Sequence, residues 1–150
     1  MSIYSQLEKL LTTKHCGAFA LIDPDIKNDG TLIETIEKIN CSGFDAILVG
    51  GSLIQDNNFD ARIEYIKKNT KLPVIIFPGS SKQLSGKADA ILFLSLLSGR
   101  NPQYLIGEHV ESAPVIYSLG LEPIPTGYIL LDGGSRTSVE IISNTIPLPM

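Results

Sequence analysis

Apolar segments closed by polar or glycine-rich stops recur along this sequence, with helix-forming stretches between them. Ala18-Phe19-Ala20-Leu21-Ile22 ends at Asp23-Pro24-Asp25, Asp45-Ala46-Ile47-Leu48-Val49 at Gly50-Gly51-Ser52, and Pro73-Val74-Ile75-Ile76-Phe77 at Pro78-Gly79-Ser80. These runs start at 18, 45 and 73, so they lie 27 and 28 residues apart. Runs of this length that are apolar at nearly every position read as strands buried on both faces. A fourth, Ala90-Ile91-Leu92-Phe93-Leu94, arrives after a shorter link over 81–88, and a fifth is read at Tyr128-Ile129-Leu130-Leu131-Asp132 before Gly133-Gly134-Ser135.

Between the strands the apolar period changes to that of a helix. Ile3, Leu7, Leu10 and Leu11 mark a first amphipathic helix, and Asp29 or Thr31 caps a second whose inward face is Leu32, Ile36 and Ile39. A third helix spans about 60–69 with Ile63 and Ile66 inward. Asn101-Pro102 supplies a cap and a first-turn proline for a helix to about Val110, continuing toward Leu119, and Thr137-x-x-Glu140 is a capping box opening the last.

Strands alternating with helices imply a parallel sheet with right-handed crossovers. Two architectures satisfy that pattern. A flavodoxin-like doubly wound domain has five parallel strands and about this length, whereas a (β/α)₈ barrel needs eight and about 250 residues. Against the first, there is no G-x-G-x-x-G opening a helix and no G-x-x-x-x-G-K-[ST], and stops at every strand's C-terminal end have the manner of barrel active-site loops. Periodicity leaves both open. No linker or change of composition divides the 150 residues, so they read as one domain or part of one.

Charge and composition narrow the function. A net charge of -4 without a basic stripe lacks the footprint of a nucleic-acid binder. The two cysteines, Cys16 and Cys41, form no metal or redox motif and are expected to be small buried hydrophobes in a reducing compartment. The first residues carry no basic segment followed by an apolar core, and the longest apolar run, Ala90 to Leu97 with one serine, is far short of a membrane span; the reading is cytoplasmic.

Five motifs in order then carry a specific likeness: Leu21-Ile22-Asp23-Pro24-Asp25, Val49-Gly50-Gly51-Ser52, Phe77-Pro78-Gly79-Ser80, the stretch Leu94-Ser95-Leu96-Leu97-Ser98-Gly99-Arg100-Asn101-Pro102, and Glu122-Pro123-Ile124-Pro125-Thr126-Gly127-Tyr128-Ile129-Leu130. Over roughly residues 14 to 149 the chain resembles the geranylgeranylglyceryl and heptaprenylglyceryl phosphate synthase family, most closely its second group. The resemblance implies a modified TIM barrel of which about five of eight βα units lie here. It also implies an Mg²⁺-dependent prenyltransferase in ether lipid synthesis, joining a polyprenyl diphosphate to sn-glycerol 1-phosphate. Transient contact with a membrane surface through the lipid substrate and a homo-oligomeric state are implied with it.

Carried over residue by residue, the family's two Mg²⁺ positions fall on Asp23 and Ser52. Mg²⁺ is commonly held by one or two protein oxygens with substrate phosphates and water, which suits a carboxylate and a hydroxyl at adjacent strand ends. Asp25 reads equally as a partner behind the metal site or as the acid opening the next loop. Many relatives carry a lysine directly after this motif; here that place is Ile26 and Lys27 follows it. Pro78-Gly79-Ser80 and Gly133-Gly134-Ser135 either present N–H groups to an anion or simply turn strand into helix. His15 precedes the first strand and His109 sits in a helix, neither with a nucleophile partner. Tyr104, Tyr117 and Phe93 are candidates for core packing or for an apolar prenyl groove. The family's glycerol phosphate motifs, on its sixth strand and after its seventh and eighth, do not occur in these residues. The resemblance therefore implies that the glycerol phosphate receptor and catalytic base lie downstream of Met150 and that residues 1–150, ending in the family's fifth helical region, are an inactive N-terminal portion.

Overall fold

A run such as Ala46-Ile47-Leu48-Val49 has no polar side to turn to water, and it is buried at nearly every position in the sheet. A computed structural model describes residues 1–51 and 58–150 of the chain. The strands are β1 (Phe19–Ile22), β2 (Ala46–Val49), β3 (Val74–Ile76), β4 (Ala90–Leu96) and β5 (Glu122–Tyr128). All neighbouring pairs are parallel and the order is β1-β2-β3-β4-β5. A doubly wound sheet reverses direction at a switch point; this one advances by one strand each time, the order of a (β/α) barrel wall. The flavodoxin-like alternative is thereby excluded.

Same-direction crossovers place the helices on one face. α2 (Leu32–Cys41), α3 (Phe59–Lys68) and α4 (Glu108–Leu119) supply Leu32, Ile36, Ile39, Ile63, Ile66 and Ile116 to a core built on Ala20, Ile22, Ile47, Val49, Val74, Ile76 and Ile91. The anticipated inward faces of α2 and α3 are the observed ones. On the opposite face Ala46, Ile75, Ala90 and Ile124 form a second cluster, against which Ile3 and Leu7 of α1 (Ile3–Lys14) pack. α1 therefore lies on the inner face and touches it through its first two turns, which leaves Leu11 exposed where an inward position was anticipated.

Glu122 fixes that placement. Its carboxylate accepts from the backbone N–H of Ile3 at 2.7 Å and of Tyr4 at 2.9 Å, satisfying two donors that the first turn of a helix leaves without partners. A negative charge there also complements the helix dipole.

The fifth strand lies six residues earlier than anticipated, at Glu122–Tyr128 rather than Tyr128–Asp132, where only Leu131 makes an isolated parallel bridge to Leu148. Pro123 and Pro125 have no backbone N–H to donate, yet the ladder loses nothing to them. Tyr128 turns its carbonyl toward β4, accepting from Leu97 N–H, so the even-numbered residues bond β4 and both proline nitrogens face the sheet edge. The cysteines also differ from expectation: both are exposed. Cys16 lies beyond the left-handed His15 that ends α1, and Cys41 is about 200° around α2 from buried Ile39, on the solvent side.

Replacing Glu122 by Ala removes both acceptors from α1. Urea denaturation is expected to show a loss of about 0.5–2 kcal/mol, the range for losing a helix N-terminal acceptor. An unchanged midpoint would show that α1 docks without the cap.

Candidate active site

Parallel strands end on one rim, so the stops after β1, β2 and β3 converge there whatever their separation in sequence. Asp23 leaves β1 with its backbone carbonyl held by Asn28 Nδ2 at 2.9 Å. Its Oδ2 is 3.5 Å from Lys27 Nζ. Its Oδ1 is buried and meets no hydrogen-bond donor among the described residues. Leaving such an oxygen without a donor carries a desolvation cost of about 1–3 kcal/mol or more.

The rim is packed through glycines. A Cβ on Gly51 would sit 2.5 Å from Asp23 Oδ1, and one on Gly50 only 1.7 Å from the Phe77 carbonyl oxygen. On Gly79 it would meet the Gly51 carbonyl oxygen at 2.4 Å. Gln83, buried at 4% exposure, joins the last pair: Nε2 donates to Gly51 O at 2.7 Å and Oε1 accepts from Gly79 N–H at 3.0 Å.

Beyond Ile76 the sheet opens. β3 pairs with β4 only through Ile75 with Ala90 and Ile76 with Ile91, and no helix covers the link between them. A cavity of about 310 Å³ occupies the gap. Leu92 and Leu94, of the inner face of β4, and Phe93, of its outer face, all line it, so it runs from the rim glycines toward α4. His109 stacks on Phe93 with centroids 4.0 Å apart and donates from Nε2 to Leu94 O at 2.6 Å. Tyr104 stands in the π-helical turn Gln103–Gly107 at the head of α4; burial, and then the charge of Glu108, raise its phenol above the usual range. The link is tied across to α4, with Ser81 N–H donating to the Glu108 carboxylate and Ser81 Oγ to Glu111 Oε2 at 2.9 Å. Gln103 Nε2 donates to both acids, at 3.1 and 3.2 Å.

Asp23 thus stands at the rim as anticipated. Ser52, the second anticipated metal ligand, lies outside the described residues. Asp25 is a buried loop acid that caps the 3₁₀ turn Ile26–Thr31 by accepting from Lys27 N–H at 3.2 Å. Lys27 reaches both acids from that turn, 3.8 Å from Asp25 Oδ2. Neither glycine-rich loop offers its middle N–H to an anion, since Gly79 donates to Gln83 and Gly134 to Asp132 Oδ1 at 2.8 Å. Phe93 and Tyr104 line the cavity, whereas Tyr117 is 90% exposed and belongs to neither core nor groove. Sequence reasoning missed Gln83, Glu108 and Glu111. The 81–88 link, too brief for a covering helix and rich in polar side chains, marks the region but singles out none of the three.

Among the described residues no three His, Cys, Asp or Glu gather as a metal cluster. A site for Mg²⁺ does not need one, because substrate phosphates and water complete its octahedron. A carboxylate oxygen that meets no donor among the described residues, packed against a glycine of the cavity wall, fits that cation.

Comparison with known proteins agrees with this architecture. The PcrB family profile matches residues 9–148. The geranylgeranylglyceryl phosphate synthase of Chitinophaga pinensis is 48% identical over 129 residues, 86% of this chain and 51% of that protein. The enzyme of the same name from Flavobacterium johnsoniae is 49% identical over 128 residues, 85% of this chain and 53% of that one. The chain therefore spans about half the length of these curated relatives. Among solved structures, wild-type GGGPS from Thermoplasma volcanium superposes with a TM-score of 0.88 at 32% identity, covering 99% of this chain and 59% of that one. The (S)-3-O-geranylgeranylglyceryl phosphate synthase from Thermoplasma acidophilum, solved in complex with its substrate sn-glycerol-1-phosphate, gives 0.86 at 36%, covering 99% and 60%.

The closest backbone approach on the rim yields a direct test. Gly50→Ala forces a methyl into the Phe77 carbonyl, and since both partners are backbone the strand ends must part. A loss of about 1–3 kcal/mol, the range for overpacking, is expected in chemical denaturation. Wild-type stability would show that β2 and β3 separate freely at this point.

Proposed function

This chain belongs to the PcrB family, and from that premise we propose that it is the N-terminal, diphosphate-binding portion of a (β/α)-barrel prenyltransferase that joins a polyprenyl diphosphate to sn-glycerol 1-phosphate. The observation that carries this reading is the juxtaposition of a buried, unpartnered carboxylate oxygen on Asp23 with an apolar cavity whose wall includes Gly51, the glycine packed against that oxygen. A prenyl diphosphate has the same two ends, a polyanion that requires a cation and a hydrocarbon that requires burial.

Asp23 would hold Mg²⁺, with the Ser52 hydroxyl as the second ligand implied by the family motif. When bound, the ion supplies charge neutralisation for the departing diphosphate. Lys27, mostly exposed and beside Asp23 Oδ2, adds a second positive charge at the same rim. The hydrocarbon lies between β4 and α4 along Leu92, Phe93 and Leu94, and burial of its methylenes contributes about 0.8 kcal/mol each. Phe93 and His109 stack on each other in that wall, which adds aromatic surface for the chain to pack against.

Transfer also requires the glycerol hydroxyl at near-attack distance from the allylic carbon, an arrangement that contributes about 7–11 kcal/mol. The residues that the resemblance assigns to that task lie outside these 150. Binding and turnover are thus separable here. The 150-residue chain is expected to bind inorganic diphosphate and geranylgeranyl diphosphate in an Mg²⁺-dependent way, without transferring the prenyl group to glycerol 1-phosphate.

Asp23→Asn is the decisive variant. Its amide matches the carboxylate in size, Oδ1 accepts from no donor among the described residues and the Lys27 pair at Oδ2 is screened by water, so stability should change by less than about 1 kcal/mol. Calorimetry should nonetheless show the Mg²⁺-dependent affinity for diphosphate falling at least about tenfold, because the charge opposing the cation is gone. Wild-type affinity in Asp23→Asn, or prenyl transfer by the 150-residue chain alone, would overturn these roles.

A further inference from the structure

The geometry points to Gln83 as a positioning residue whose side-chain amide serves as one extra rung of the β2–β3 ladder, setting the place of Gly51 beneath the Asp23 carboxylate. This rests on the reading of Asp23 as the diphosphate site's cation ligand.

The ladder has a phase that can be followed outward. Ile47 N–H donates to Pro73 O at 2.9 Å and Phe77 N–H to Val49 O at 2.8 Å. Advancing each strand by two residues from the latter bond makes Gly79 N–H the next donor and Gly51 O the next acceptor. Those two groups do not bond each other. Gln83 stands between them, its Oε1 taking the Gly79 N–H and its Nε2 supplying the Gly51 carbonyl. A side-chain amide has the donor and acceptor of a peptide unit, so it extends the ladder where the backbones have begun to diverge.

Three further observations make the rung consequential. β3 has lost β4 by this point, their pairing having ended at Ile76 with Ile91, so no neighbouring strand holds the β3 stop from the other side. Gln83 is buried at 4% exposure and its own N–H donates to Ser80 O at 3.0 Å, which closes a turn and fixes the side chain's origin. Finally, Gly51 lies directly against Asp23 Oδ1, within the distance that a single Cβ would violate. Movement of Gly51 therefore transmits to that oxygen by contact. Without the amide, Gly79 N–H and Gly51 O would be left without the partner each has now, and their relaxation would displace the surface on which the carboxylate rests.

Gln83 touches neither cation nor substrate; it acts through Gly51. The test compares Gln83→Met, which keeps length and removes both bonds, with Gln83→Glu, which keeps the acceptor for Gly79 and removes the donor to Gly51. Mn²⁺, a spectroscopic stand-in for Mg²⁺, is titrated with inorganic diphosphate into the 150-residue chain and followed by electron paramagnetic resonance, with affinities expressed per folded molecule. Both variants are expected to bind the Mn²⁺–diphosphate pair about 10–100-fold more weakly, the usual effect of removing a group that supports a metal ligand. Hydrogen exchange on the wild-type chain needs no variant to fold, and should show the Gly79 amide protected like those of the β2–β3 ladder. If wild type binds and both variants bind as tightly, or if Gly79 exchanges as an open loop amide, the positioning role is wrong while the Asp23 reading survives. If wild type itself fails to bind Mn²⁺–diphosphate while Gly79 is protected, the Asp23 reading fails and the role inferred for Gln83 falls with it.

Discussion

Every crossover in this chain moves the sheet forward by one strand in the same direction. That constraint does more than choose a barrel wall over a doubly wound sheet. It puts α2, α3 and α4 on one face, reserves the other for Ala46, Ile75, Ala90 and Ile124, and brings the stops after successive strands side by side on one rim. Asp23, Gly50, Gly51 and Gly79 come from three separate loops, yet they touch because their strands are adjacent and in register, Ile22 with Val49 and Val49 with Ile76. Chemistry at the rim is therefore a product of sheet order. Small residues are required there for a steric reason: two of these glycines would drive a Cβ into a backbone carbonyl oxygen.

The wall is not uniform. A three-residue β3 and the absence of a helix over the link to β4 leave a defect that a closed, regularly covered wall would not have. The cavity lies in that defect, and its position explains why residues of both faces of β4 line it. Polar side chains replace the missing helix as the means of closing the outer side. Ser81 donates to Glu108 and Glu111, Gln103 bridges the two acids, and Gln83 joins Gly79 N–H to Gly51 O. Directional bonds suit this place, since apolar packing alone fixes position less sharply than a donor and acceptor that must each be satisfied.

The parts of the molecule that follow from local chemistry were legible in the sequence. β1 to β3 begin within a residue of where continuous apolar runs placed them, and Thr137 and Glu140 form the reciprocal capping box their spacing foretold. Asp23 was legible as a strand-end acid, and its motif assigned it a task. What escaped depended on neighbours distant in sequence. Nothing in Pro123-Ile124-Pro125 says that the proline nitrogens will face an edge; that is decided by which residues bond β4. Gln83 shows no local signal because its partners, Gly51 and Gly79, are brought to it by the register of β2 and β3. The exposed cysteines were misjudged because composition speaks to the average cysteine, whereas Cys41 is placed by its angle on α2.

The charges at the rim fit together only partly among the described residues. Lys27 reaches Asp23 Oδ2 at 3.5 Å, but its side chain is 66% exposed, and a pair screened by water contributes at most about 1 kcal/mol. It does not reach the buried Oδ1. Asn28 holds the backbone of Asp23 and Lys27 N–H is committed to Asp25, so the loop is organised while the carboxylate itself is left half satisfied. A stable domain needing only a loop acid here would do better with an asparagine or with a donor aimed at Oδ1. Retaining a carboxylate under those conditions has a stability cost of the kind that accompanies function. The surrounding glycines and the Gln83 amide leave the backbone there little room to relax toward a better-satisfied arrangement, and on the proposed function this is what would keep the carboxylate in place for a cation.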